Sequence, residues 1–274
     1  MTTPVKLTAF AAALALVFGA AALAGGAVHR LHDPAAAGAE DGMSMAADPM
    51  RGLAVTQNDL TLELARRAAP RDRRFELSFR ILGKDGRPIH DFDVEHTKRM
   101  HLIVVRRDLT GFQHVHPVLH ADGTWTTPLT LPQAGTYRVF ADFSVGGKPT
   151  TLADDLQVDG DVRSKPLPAP AKAFDTDGFR IRLTDGAVRA GDESELTFDV
   201  SRQGKPVSLQ DYLGAKGHLV ALREGDLAFL HVHPDASSLR FEADFLSAGT
   251  YRLFLQFQVA GQVHTAKFTL EVSR

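Results

Sequence analysis

Histidines recur in this chain at the same intervals twice. Lys98 to Pro117 reads KRMHLIVVRRDLTGFQHVHP, and Ala215 to Pro234 reads AKGHLVALREGDLAFLHVHP. Without a gap, His101 falls on His218, His114 on His231 and His116 on His233, so a lone histidine precedes a His-x-His pair by 13 residues in both copies. Neutral imidazole is a ligand for Cu, Zn, Ni and Fe. On a β-strand alternate side chains share a face, so His114 and His116 would present two rings roughly 6 to 7 Å apart. Such a pair needs a third ligand from a neighbouring strand to close a site. His101 supplies it if the hairpin turns through two residues at Leu109 and Thr110, since 101, 103 and 105 then share a face with 114, 116 and 118. One residue more in the loop reverses that face. The expectation is a three-histidine metal site in each copy: His101, His114 and His116 in the first, and His218, His231 and His233 in the second. His90, His96 and His120 are further donors in the first copy, as is His264 in the second.

Copper is the favoured ion, with zinc as the alternative. The reason lies upstream, where Met43, Met45 and Met50 offer thioethers that suit soft Cu(I) and have little use for zinc. His29 and His32 could add nitrogen there or be ordinary flanking polar residues. Because the ligands must be neutral, affinity is expected to fall as pH drops through about 6.5.

Other chemistries fit less well. A cupin-type site needs a glutamate a few residues after the pair, but Val118, Leu119, His120, Ala121 and Asp122 follow. There is no Gly-x-Ser-x-Gly elbow and no P-loop. A zinc hydrolase on three strand histidines would want a carboxylate beside them. Asp142 and Asp155 are candidates, yet the second copy has Gln256 and Thr269 at those places. The reading is therefore of a binding protein, not an enzyme. Its rival is an envelope structural or interaction module whose histidines only support the fold, with its protein partner unknown.

The elements that must carry these residues read as strands. Gly and Pro number 23 and 14 and punctuate short alternating runs, the aromatic residues are mostly Phe, and no convincing helix remains in the repeats. In the first copy seven strands are predicted, over 60–64, 75–82, 101–106, 112–119, 124–131, 136–145 and 152–158. Seven strands in about 100 residues with KDGRP, ADG and PQAG turns is an immunoglobulin-like pattern. Tyr137 and Tyr251, each in AGTY, suit the tyrosine corner of that fold. The fold class is all-β: two tandem immunoglobulin-like seven-stranded β-sandwich domains after an N-terminal hydrophobic helix.

Around the repeats the chain divides further. Residues 1–28 hold an apolar run from Leu7 to Val28, read as a signal peptide with Ala22-Leu23-Ala24 as its cleavage motif or as an uncleaved membrane anchor. Either way the rest is exported, secreted or held at the cell membrane, with Lys6 on the cytoplasmic side. Residues 29–55 form a His- and Met-containing tether, 56–160 the first sandwich, 161–172 a proline-rich linker and 173–274 the second sandwich. Cysteine is absent, which excludes disulfides and thiolate sites, and a net charge of -2 gives no footprint for nucleic acid.

The stretch MHLIVVRRDLTGFQHVHPVLHADGTW followed by AGTYRVFADF resembles a family of exported actinobacterial proteins with paired HVHP repeats, often labelled secreted or heavy-metal-binding. That resemblance implies export and metal binding. At the level of the fold alone, the chain is also similar to copper-handling sandwiches of the CopC and YtkA type, although those carriers place a ligand at the mature N-terminus and this chain shows none there.

Overall fold

The computed structural model describes residues 51–184, 188–230 and 232–274, with His233 given as backbone alone. Among the described residues every regular element is a strand. The first repeat comprises β1 (Thr56–Gln57), β2 (Leu60–Leu64), β3 (Ala68–Ala69), β4 (Arg74–Leu82), β5 (His101–Arg106), β6 (Gln113–Val115), β7 (Val118–Leu119), β8 (Trp125–Thr130), β9 (Gly135–Val145) and β10 (Lys148–Val158). The second comprises β11 (Ala173–Thr176), β12 (Phe179–Leu183), β13 (Glu193–Arg202), β14 (Lys205–Pro206), β15 (Gly217–Arg223), β16 (Phe229–Leu230), β17 (Val232–Pro234), β18 (Arg240–Asp244), β19 (Gly249–Val259) and β20 (Gln262–Val272).

In the first repeat, one sheet runs β1-β2-β4-β8-β7 and the other β3-β10-β9-β5-β6. β3 joins β10 in parallel while the other pairings are antiparallel, an order that follows the immunoglobulin sandwich. Alternation along β4 turns Leu77, Phe79 and Ile81 inward against Leu102 and Val104 of β5 and Val139 and Ala141 of β9. Trp125 stacks on Phe79 and meets Phe92 edge-on. Each such side chain removed from water contributes about 1.5–3 kcal/mol. The tyrosine corner forms in both copies, Tyr137 donating to the Gln133 carbonyl at 3.1 Å and Tyr251 to that of Ser247 at 2.9 Å.

The seven predicted strands recur with two differences. Short edge strands are added, and the stretch expected as one strand over 112–119 is two. β6 pairs with β5, whereas β7 pairs with β8 in the opposite sheet. His116 and Pro117 sit at the crossing, where a residue without an N–H costs the ladder nothing. The hairpin before it is longer than two residues. Ile103 lies opposite His114, two residues from the expected register, and Leu109 and Gly111 take positive φ in the loop. A slip of two preserves the face, so His101 and the pair still point the same way. The second copy has the equivalent register, Leu222 opposite Phe229.

β5 is buried on both faces. Its inner face lines the first core; its outer face, Ile103 and Val105, packs with Phe140 of β9 against Val220 and Leu222 of β15 and Phe254 of β19. Phe112 stacks on Phe254 at 4.0 Å and 6°, and Phe229 meets Phe140 at 5.5 Å. Phe112 corresponds to Phe229 and Phe140 to Phe254, so the contact is reciprocal, as across an approximate two-fold axis. The linker is bound to the first sandwich, through Arg106 to the Arg163 carbonyl and Lys165 N–H to Asp108. The described residues accordingly form one compact unit.

Candidate metal centre

The face shared by β5 and β15 carries the lone histidines into this interface. His101 opens β5 opposite Asp142 of β9, and His218 lies on β15 opposite Gln256 of β19. His114 projects from β6 on the same face as His101, and His116 follows at the strand switch. One nitrogen from each of His101, His114 and His116 lies within 4.8 Å of the others. His218 of the second sandwich joins them, its ring 5.4 Å from that of His101 at an interplanar angle of 9° and 4.8 Å from that of His114. Sequence reasoning placed one triad in each copy; among the described residues, the first copy's triad and the second copy's lone histidine share one cluster. His231 and the side chain of His233 lie outside the described residues.

The hydrogen bonds orient two of the rings. His101 Nε2 is 3.1 Å from the Glu95 carbonyl oxygen, which can only accept, so Nε2 carries the proton and Nδ1 a lone pair. His114 Nδ1 is 2.7 Å from Gln256 Oε1, which leaves the lone pair on its Nε2. Those two lone-pair nitrogens face each other at 3.1 Å. Two bare lone pairs at that distance repel, whereas two imidazoles on a tetrahedral ion with bonds of about 2.0 Å stand about 3.3 Å apart. His116 Nε2 is buried with no hydrogen-bond partner among the described residues. The Glu95 carbonyl and the Gln256 amide thus take the part of the groups that fix the tautomer of metal-bound histidines.

Enclosure by protein disfavours the imidazolium throughout the cluster. It lowers His101, pushes His114 to about 4 and His116 to about 3, and holds His218 well below the usual histidine range, with repulsion among the rings adding to the effect. These rings are neutral at pH 7, as ligands must be. Proton competition is therefore displaced below the value near 6.5 expected from free histidine. Asp142 partly offsets this for His101 and His114; it is held by Thr151 Oγ1 at 2.5 Å and by Arg51 at 3.2 Å.

The other candidates, His96 excepted, lie apart. His120 bonds Thr126, and His264 pairs with Asp177 at 2.8 Å beside Phe179. His264, Asp177 and Arg202 line a hollow of ≈ 510 Å³ to which none of the clustered histidines contributes. Asp155 pairs with Arg107 and Arg138. His96 has its ring 6.2 Å from His101 and 5.8 Å from His218. The apolar run 7–28, His29, His32, Met43, Met45 and Met50 lie outside the described residues, among which no helix is long and apolar enough to cross a membrane. Gln256 was missed as a site residue, although a polar side chain opposite the lone histidine in both copies, Asp142 or Gln256, is a signal present in the sequence.

No curated protein matches the chain. Among solved structures, it is similar to the adhesin FdeC of Escherichia coli at 15% identity, covering 81% of this chain and 66% of that one with a TM-score of 0.27. It is similar to the adhesin InvE of Yersinia pseudotuberculosis at 11%, covering 78% and 59%, TM-score 0.24. A Salmonella alpha-2-macroglobulin follows at 12%, covering 83% and 15%, TM-score 0.29. The chain spans less than two thirds of each of these proteins, and likenesses this loose carry no information about function. A family described as a domain of unknown function, DUF8832, matches residues 54–160 and again 173–274, and the chain belongs to it.

Proposed function

We propose that this tandem DUF8832 protein binds one transition-metal ion, copper before zinc, in a histidine centre between its two sandwiches. His101, His114 and His116 would be the principal ligands, with His218 set against them from the second copy. His231 and His233 remain candidates from the sequence alone. The observation that carries the reading is the pair of lone-pair nitrogens 3.1 Å apart, each turned inward by a carbonyl acceptor on its far side. An all-imidazole set favours Cu(II) or Zn(II), and the upstream methionines incline the choice to copper. The protein would work on the exported side of the membrane, secreted or anchored by its apolar N-terminus, as a carrier or sensor with no catalytic step.

The same 3.1 Å contact supports a second reading. If the Gln256 amide is rotated so that its NH₂ donates to His114 Nδ1, then His114 Nε2–H can donate to His101 Nδ1 and close the chain of hydrogen bonds without an ion. The histidines would then be a polar hub that joins the sandwiches. Titration of the purified protein with Cu(II) and Zn(II) separates the two. The metal reading expects one tight equivalent that the His101→Ala/His114→Ala variant loses; no binding by the unaltered protein, with a metal-free melting temperature lowered by the same changes, would establish the hub.

A further inference from the structure

The hairpin that precedes β5 keeps its turn geometry in both copies but none of its residues, Glu95-His96-Thr97-Lys98 standing where the second copy has Tyr212-Leu213-Gly214-Ala215. In the first copy Glu95 and Lys98 exchange backbone hydrogen bonds of 2.8 and 2.9 Å around His96 and Thr97, at φ 47° and 68°. In the second, Tyr212 and Ala215 do the same around Leu213 and Gly214, at φ 58° and 85°. Both are two-residue turns with positive φ at each central residue, a geometry that normally selects Asn and Gly. The first copy instead holds a β-branched residue, Thr97, in the left-handed region, a conformation that persists only where the surroundings impose it and is often found at functional sites.

What this turn presents is an imidazole. Residues 94–99 are exposed except for His96, which is half-buried because its ring turns in to meet His101 and His218. The corresponding Leu213 offers no donor, so the hairpin pair is chemically one-sided while the apolar part of the interface is reciprocal. Resting on the metal reading above, we infer that His96 is a capture ligand. It would take a Cu(II) or Zn(II) ion from solvent at the exposed hairpin and pass it to His101, His114 and His116 by stepwise ligand exchange. Each metal–nitrogen bond that forms displaces a coordinated water or the preceding nitrogen ligand, the waters return to solvent, and the ion keeps its charge.

Rapid-mixing kinetics on the full-length protein test this, with Zn(II) and Cu(II) as the ions for uptake and EDTA as the acceptor for release. His96→Leu places there the residue that the second copy already accommodates at positive φ, and His96→Asn favours that φ; neither is expected to lower the metal-free melting temperature. Both variants should slow uptake and release together by about tenfold, or ~1.4 kcal/mol of barrier, with a smaller change in affinity. Unaltered rates in either variant overturn the capture role while leaving the metal reading intact. Complete loss of binding also overturns it, by making His96 a core ligand. Failure of the unaltered protein to take up either ion removes the metal reading and this one with it.

Discussion

The two copies present the same strands to each other and differ in the polar residues at the join. Ile103, Val105 and Phe140 on one side meet Val220, Leu222 and Phe254 on the other. The polar positions have drifted: Asp142 stands where the second copy has Gln256, and His96 where it has Leu213. The apolar contact is thus common property of the repeat, and chemistry has been distributed unequally over it. A self-complementary patch can evolve this way because packing needs both halves, whereas a single ligand centre needs each donor only once.

The comparison can be broken hardest at its apolar half. Phe254→Ala and Phe140→Ala should each lower unfolding free energy by about 3–5 kcal/mol, measured by urea denaturation, because each leaves a cavity, Phe254 where it stacked on Phe112 and Phe140 where it packed at a tilt against Phe229. If either change costs less than about 1 kcal/mol, the two sandwiches are not held by this face. The polar half is next: His114→Ala should weaken Cu(II) or Zn(II) binding by at least about 100-fold in a competition titration, since it removes one of the two facing lone pairs. Gln256→Ala deletes only the group that orients His114, and about 10–100-fold is expected in the same titration. An unchanged affinity there would show that the second copy does not support the site.

Acid should act on the metal-free protein through the same rings. The folded values of His101, His114, His116 and His218 lie below that of free histidine. Below pH 6.5 the unfolded chain therefore binds protons that the folded chain refuses, so stability falls as pH drops from about 6.5 towards the folded values near 4 and 3. Denaturation midpoints at pH 7.5, 6 and 5 should decline, and more steeply than in His114→Ala. The smallest effect expected tests what the copies share. Tyr137→Phe and Tyr251→Phe should cost about 0.5–1.5 kcal/mol each, equally in the two sandwiches, for one hydrogen bond to a backbone carbonyl.

Much of this was legible in the chain. Alternation along RFELSFRIL gave a strand with one buried face, and AGTY gave the corner that closes each sandwich. The sequence posed the face of His101 as a question of hairpin parity, and the structure answered it: the loop is two residues longer in register than the one considered, which keeps His101 with His114 and His116 because side-chain period is two. The break at Pro117 was less visible, since leaving one sheet for the other is settled by which neighbour offers free carbonyls. One signal was passed over. HLIVVR and HLVALR are continuous apolar runs, the mark of strands covered on both faces, and not the alternation of an outer strand.

The sequence by itself determined the strands, the duplication and the lone histidine at a constant interval from its pair, while the face of His101 waited on the register of the hairpin. Only the tertiary structure decided that His218 belongs beside His101 and His114, and that Gln256 orients a ring 142 positions away. Periodicity is a local property and fixes which way a side chain points from its own backbone. What it points at depends on which surface of the whole sandwich finds a partner, and that is decided by the matching of two apolar faces far apart in the chain.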